Sequence, residues 1–225
     1  MLAKNWMSKP VITIDEDESM HEAIKKLKEH NIRILPVVKK ETLVGIVTDR
    51  DLKRATVSDA TTIDVHELIY ITSNINVKQI MSKKVITVPF DFTIEETAEV
   101  LLNNKISGVP VVDKQGEMIG IISQSDIFKA LISLTGVEKK GVQFAFQFED
   151  KPGSIKEITD TIRKYGARIF SLLTTYEGAP IGYRNLYIRI FQLDRKKILD
   201  LQKELKKTTL LLYMIDFKEN LREIF

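Results

Sequence analysis

Apolar residues keep two spacings along this chain, and the switches between them lay out its elements. Short β-branched runs at residues 11–14, 35–38 and 43–48 predict strands, as do 109–112 and 118–123 with Gln115-Gly116 as a turn. Between these strands Met20, Ile24 and Leu27 recur at helical spacing behind Ser19-x-x-Glu22, and Ile94, Ala98, Leu101 and Leu102 do so behind Thr93-x-x-Glu96. Both leaders carry the capping-box pattern, in which a hydroxyl and a carboxylate satisfy the first free N–H groups of a helix. Further helices are expected from near Asp51 and Asp126, and Val65, Leu68 and Ile69 suggest a short amphipathic one.

From residue 142 the period becomes two. Val142, Phe144, Phe146 and Phe148 alternate with Gln143, Ala145 and Gln147, the mark of a strand with one buried face. Asp150-Lys151-Pro152-Gly153 breaks the strand, and Ser154-x-x-Glu157 then opens a helix with Ile155, Ile158, Ile162 and Tyr165 on one face. Gly166 is placed to close that helix in the left-handed conformation. Strands at 168–176 and 183–192, a helix carrying Ile198, Leu201 and Leu205, and a strand at 210–217 complete a βαββαβ order, the ferredoxin-like split.

The first two thirds repeat themselves. Trp6-Met7-Ser8-Lys9-Pro10-Val11-Ile12-Thr13-Ile14 returns 74 residues later as Ile80-Met81-Ser82-Lys83-Lys84-Val85-Ile86-Thr87-Val88. Pro36-Val37-Val38 meets Pro110-Val111-Val112 at the same offset, and after a one-residue insertion Gly45-Ile46-Val47-Thr48 meets Gly120-Ile121-Ile122-Ser123. Asp51 then meets Asp126. The expected organisation is a repeat at 1–60, a linker at 61–76, a second repeat at 77–135 and a separate unit at 141–225, the whole an α+β chain.

The repeat ends carry the candidate chemistry. Thr48 or Ser123 closes a strand beside the first turn of a helix, where unpaired N–H groups and the helix dipole favour an anion such as phosphate. Three residues on, Asp51 or Asp126 supplies a carboxylate able to accept hydrogen bonds from both hydroxyls of a ribose. On spacing alone, these four residues fit equally well as helix caps. Arg50 is suited to neutralise a phosphate in the first cleft, whereas Ser125 replaces it in the second; Asp49 likewise stands opposite neutral Gln124.

With the Met-Ser-Lys openings, the Pro-Val-Val strands and the endings Gly45-Ile46-Val47-Thr48-Asp49-Arg50-Asp51 and Gly120-Ile121-Ile122-Ser123-Gln124-Ser125-Asp126, residues 1–135 resemble the CBS-domain family. That resemblance implies a disc-shaped pair of repeats with adenine-containing ligands (AMP, ATP or S-adenosylmethionine) in clefts between them. It assigns Thr48, Asp51, Ser123 and Asp126 to the ligand. The Asp150-Lys151-Pro152-Gly153-Ser154-Ile155 turn on its βαββαβ frame, over residues 141–217, resembles the ACT family of regulatory domains, which pair by their sheets and often hold an amino acid. The implied contacts are Asp150, Gly153 and Ser154 with Arg168 and Ile169 on the following strand. A domain that only dimerises is equally consistent with the turn, since fold alone does not give function. The order of the two is similar to that of acetoin-utilisation regulatory proteins.

Composition narrows the classes. Hydrophobic residues make up 44% and charged residues 29% of 225, so a substantial core is expected. The 34 basic and 31 acidic residues are interleaved and give only +3, which does not suggest nucleic-acid binding. The longest apolar run, residues 210–215, is far below the roughly 20 residues of a membrane span, and no basic-then-apolar leader follows Met1. With no cysteine, thiolate metal sites are excluded and a reducing, cytoplasmic setting is expected. His21, His30 and His66 are not spaced as a metal set and are expected at the surface, and Trp6 is expected in packing. No nucleophile elbow, Walker loop or dinucleotide fingerprint is present. The expectation is a non-enzymatic ligand sensor without metal or cofactor, with an adenine nucleotide as regulatory ligand. It would be at least a homodimer, with a regulated partner protein; assembly of such a partner without any ligand, or amino-acid sensing by the last unit alone, is the alternative.

Overall fold

The computed structural model describes the backbone of residues 1–56 and 65–225 and the side chains of 1–55 and 69–225. The chain divides into two compact units, Met1–Phe128 and Lys129–Phe225. The first unit holds two three-stranded sheets of one design. β1 (Ile14–Asp15) runs parallel to β2 (Ile34–Lys39), which pairs antiparallel with β3 (Thr42–Thr48). In the second repeat β4 (Val88–Pro89), β5 (Gly108–Val112) and β6 (Met118–Ser123) do the same. The helices are α1 (Met20–Glu29), α2 (Asp49–Thr56), α3 (Val65–Ser73), α4 (Val77–Ile80), α5 (Ile94–Asn104) and α6 (Gln124–Thr135).

Most of these elements stand where the periodicity puts them, with instructive shifts. The expected strand at 11–14 shrinks to β1, Ile14–Asp15, because only there does it find a ladder partner, Val37–Val38. On α5 the buried positions are Ile94, Thr97 and Leu101, whereas Leu102 is 72% exposed and Ala98 only half-buried. The stripe is therefore rotated. Thr97 enters the core because its hydroxyl donates to the Thr93 carbonyl at 2.8 Å, which satisfies the polar group inside the helix. The helix proposed around Val65, Leu68 and Ile69 exists as α3; which way Val65, Leu68 and His66 face, and the boundary placed between 60 and 61, lie outside the described residues. His21 is half-buried, His30 exposed and Trp6 half-buried.

Both capping sites form. Ser19 accepts from Glu22 N–H at 3.2 Å, and Thr93 and Glu96 close a full box, with Thr93 N–H donating to Glu96 at 2.7 Å. The Thr93 N–H first, and then its hydroxyl, hold the Glu96 carboxyl below the usual glutamate range. A depressed folded value means this contribution is present at neutral pH and is lost as pH falls through the folded value. Thr93→Ala is expected to cost about 1 kcal/mol at neutral pH and less once Glu96 is protonated; a pH series of urea melts checks both.

The repeats are interlocked through their openings. Val77, from the lead-in to the second repeat, lies fully buried in the core of the first with Ile14, Met20 and Leu35. Ala3, the equivalent residue ahead of the first repeat, is buried with its N–H on Phe92 of the second. Ser82 bridges to Ile46 of β3, and Ser8 to Ile121 of β6. Met81 thereby lies against Gly45, and Met7 against Gly120, at positions a Cβ would occupy. The glycine of each repeat end is needed because the other repeat's methionine crosses there.

The C-terminal unit is one antiparallel sheet in the order β11-β10-β7-β9-β8. Its strands are β7 (Val142–Glu149), β8 (Arg168–Thr175), β9 (Tyr183–Phe191), β10 (Leu210–Asp216) and β11 (Leu221–Ile224). α7 (Ser154–Lys164) and α8 (Ile198–Thr208) bury Ile158, Ile162, Ile198, Leu201 and Leu205 against Phe144, Phe146, Leu186 and Ile188 of the sheet. β7 departs from strict alternation, since Ala145 on the opposite face is also buried. Ser154 is not the cap of α7; Gly153 occupies that position at φ 96°, and the Ser154 hydroxyl donates back to the Glu149 carbonyl at 3.1 Å. Gly166 closes the helix at φ 83°. The added strand β11, which pairs Ile224 with Tyr213, has only four residues and two charges and carries no periodic signal.

Candidate functional site

In the first repeat β3 ends at Thr48 and α2 begins at Asp49. Thr48 N–H and its hydroxyl both donate to Asp51 Oδ2, at 2.9 and 2.6 Å, and Asp51 N–H donates to Thr48 Oγ1 at 3.3 Å. Ser123 N–H and its hydroxyl donate to Asp126 Oδ2 at 2.9 and 2.7 Å. The capping role is therefore filled in both repeats. It does not exhaust the chemistry: both bonds from Thr48 fall on Oδ2, and among the described residues Oδ1 of Asp51 accepts no hydrogen bond.

Thr48, Arg50 and Asp51 line a cleft of about 500 Å³, within the range of small-molecule sites. Its apolar wall is the buried Ile34 with Ile46, Ile86 and Ile106, which are half-buried. Ile86 belongs to the opening of the second repeat, and Lys105, Ile106, Ser107 and Gly108 come from the turn between α5 and β5. Five cationic side chains line it, Arg33, Arg50, Arg54, Lys84 and Lys105, against Asp49 and Asp51. Asp49 already pairs with Lys53 at 2.8 Å, and among the described residues no ion pair engages the five cations. The cleft thus combines a hydroxyl and carboxylate at a positively polarised helix end, an apolar wall of the kind that holds a flat base, and excess positive charge for phosphates.

Of the residues expected to meet an adenine nucleotide, Thr48, Arg50 and Asp51 stand together in this cleft, whereas Ser123 and Asp126 do not line it and cap α6 instead. Arg33, Arg54, Lys84 and Lys105 join them from positions that sequence reasoning does not single out. Lys84 sits in the repeated opening and is conspicuous in sequence, but only the exchange of openings carries it to Thr48.

In the C-terminal unit the five residues implied for amino-acid binding are not brought together in one chain. Asp150 accepts from Tyr176 at 2.9 Å and pairs with Arg184 at 3.3 Å. Arg168 pairs with Phe191, and Glu149 with Tyr183, at opposite ends of β9. At about 3.4 Å per residue, Arg168 and Ile169 stand more than about 20 Å from Asp150 and Gly153. A hollow of about 610 Å³ is lined by Lys151, Ser154, Glu157, Tyr183 and Thr208, so Ser154 alone of the five borders it. Among the described residues no group of three His, Asp or Glu side chains is placed to hold a metal ion, and no helix is long and apolar enough to cross a membrane.

Comparison with known proteins matches residues 3–58 and 77–133 to the CBS domain. A CBS domain-containing protein of Dictyostelium discoideum is 33% identical over 135 residues, covering 60% of this chain and 93% of the relative. Inosine-5′-monophosphate dehydrogenase of Korarchaeum cryptofilum is 34% identical over 128 residues, but the matched segment spans 56% of this chain and only 23% of that enzyme. Among solved structures, the CBS domain pair of protein MJ0100, in complex with 5′-methylthioadenosine and S-adenosyl-L-methionine, is 33% identical. It covers 62% of this chain and 98% of its own, with a TM-score of 0.50.

Proposed function

Since the chain belongs to the CBS-domain family, as its matches at 3–58 and 77–133 establish, we propose that it is a non-enzymatic regulatory sensor binding an adenine nucleotide between its repeats. The observation that carries this reading is the cleft itself, which places the capped Thr48–Asp51 pair, four isoleucines and five cations around one space. Asp51 accepts the ribose hydroxyls, the apolar wall holds the adenine, and Arg50 with its neighbouring cations neutralises phosphate. Ser123 and Asp126 offer the same hydroxyl and carboxylate to a second adenosine. The ligands of the MJ0100 pair, both adenosine derivatives, support the ligand class. A ligand signals here only if it binds one arrangement of the protein more tightly than another.

The C-terminal unit is, in this reading, an ACT domain that dimerises or senses an amino acid in the cytoplasm; its split βαββαβ sheet supports the first, and the separation of Asp150 from Arg168 requires a second copy for the second. Kinship with acetoin-utilisation regulators rests on the order of the two units. The alternative, an assembly module that regulates a partner enzyme without any ligand, is favoured by the exposed Leu102 and Phe128.

Calorimetric titration of the full chain with AMP, ATP and S-adenosylmethionine tests the sensor. Binding of at least one is expected, and the Asp51→Ala, Asp126→Ala double variant is expected to lose it by more than about tenfold, as charge-assisted hydrogen bonds of about 1.5–3 kcal/mol are removed. Undiminished binding in the double variant rejects these positions, and no binding to the wild type favours the assembly reading.

A further inference from the structure

We infer that the two pseudo-equivalent clefts are divided by charge: the Thr48–Asp51 cleft takes a phosphate-bearing adenine nucleotide, and the Ser123–Asp126 side takes an adenosine derivative without phosphate. This rests on the proposed binding of adenosine derivatives and adds which kind goes where.

The equivalence of the two sides is visible in the backbone. Asn31 and Lys105 end α1 and α5 with left-handed φ of 51° and 53°. Asp49 N–H donates to the Arg33 carbonyl as Gln124 N–H does to Ser107. Pro36 pairs with Ile46 and Pro110 with Ile121 in matching registers. Each lining residue of the first cleft therefore has a counterpart position under the repeat relation, and these positions define the Ser123–Asp126 side.

Arg33 with Ser107, and Asp49 with Gln124, are exchanged by that relation and contribute the same set to either side. What differs is the rest. The first cleft adds Arg50, Arg54, Lys84 and Lys105 against the single carboxylate of Asp51. In the repeat alignment their counterparts are Ser125, Lys129, Pro10 and Asn31, and Asp126 is that of Asp51. Four cations against one anion thus become one against one. A phosphate chain carries several negative charges into poorly hydrated surroundings, and its binding needs counter-charge within a few ångströms. Among the described residues the first cleft supplies it and the counterpart positions of the second do not. Hydroxyl, carboxylate and isoleucine wall are kept on both sides (Ser123, Asp126, Ile121 and Ile12 in the second), so recognition of adenosine itself is retained. Arg50, Lys84 and Lys105 are thereby the specificity-determining residues.

The test is calorimetry of the full chain with two probes, ATP and uncharged 5′-methylthioadenosine, on the wild type and three variants. ATP is expected to bind once per chain, to weaken by more than about tenfold in Asp51→Ala, and to change by less than about twofold in Asp126→Ala. The reverse is expected for the tighter of any methylthioadenosine sites. Arg50→Ser combined with Lys84→Asn, which leaves both caps intact, is expected to weaken ATP by about tenfold or more while methylthioadenosine stays within about twofold. Raising salt from about 0.05 to about 0.5 M should weaken ATP alone, since screening acts on the charged term. Two ATP per chain, or equal ATP losses in the two aspartate variants, would overturn the division while leaving the sensor intact. Silence from both probes on the folded wild type overturns the division, and the sensor falls with it only when AMP and S-adenosylmethionine are silent as well.

Discussion

Phe146→Ala is expected to destabilise the C-terminal unit by about 3–5 kcal/mol, a large share of the ~5–15 kcal/mol that holds a typical domain folded. Phe146 has no exposed surface, stacks on Phe144 with ring centroids 6.0 Å apart, and stands across from Leu186 on β9 and Leu211 on β10. Its removal leaves a void between the central strand and the two helices. Strands that are hydrogen-bonded on both sides cannot collapse into such a gap, so the lost contacts are not recovered. Chemical denaturation followed by circular dichroism reads the loss, and a change below about 1 kcal/mol would contradict the packing around Phe146.

Gly45→Leu is expected to cost about 1–3 kcal/mol and, with it, nucleotide binding. The new side chain would stand where Met81 now lies, with even the Met81 Cβ 3.3 Å from the added Cβ. Met81 belongs to the exchanged opening whose next residue, Ser82, makes paired backbone hydrogen bonds with Ile46 at 3.1 and 2.8 Å. Displacing that opening moves Ile86 and Lys84 away from Thr48, and the cleft loses its apolar wall and a cation together. The expected result is a lower melting temperature with a loss of ATP affinity greater than the stability loss explains; Met81→Ala in the Gly45→Leu background should restore part of both. Unchanged ATP affinity in a folded Gly45→Leu protein would show that the opening does not form the cleft.

Much of the local structure is legible in the chain because short-range physics writes it there. The Ser19 and Thr93 caps, the strands around Pro36 and Pro110, and the alternation from Val142 to Phe148 depend on neighbours within a few residues. The paired hydroxyl and carboxylate at Thr48–Asp51 and Ser123–Asp126 are readable for the same reason, as is the difference between Arg50 and Ser125. The departures have equally local causes. Spacing puts Leu102 on a buried stripe that in fact runs through Thr97, because apolarity alone cannot tell which edge of a helix face meets the core. The capping pattern points to Ser154, yet Gly153 takes the role, because the break at Pro152 allows the helix to start from a left-handed residue.

The sequence by itself determined the repeat, the order of the elements other than α4 and β11, the absence of thiol chemistry and the residue types at each repeat end, since all of these are properties of the chain read in order. Only the tertiary structure decided that Val77 and Met81 serve the first repeat while Ala3 and Met7 serve the second, and hence that Lys84 and Lys105 line one cleft with Thr48 and Asp51. Periodicity fixes which face of a segment is buried but not which copy of a duplicated partner buries it. When two repeats offer nearly identical surfaces, that choice falls to packing across the whole unit, and it is this choice that gathers the positive charge into one cleft.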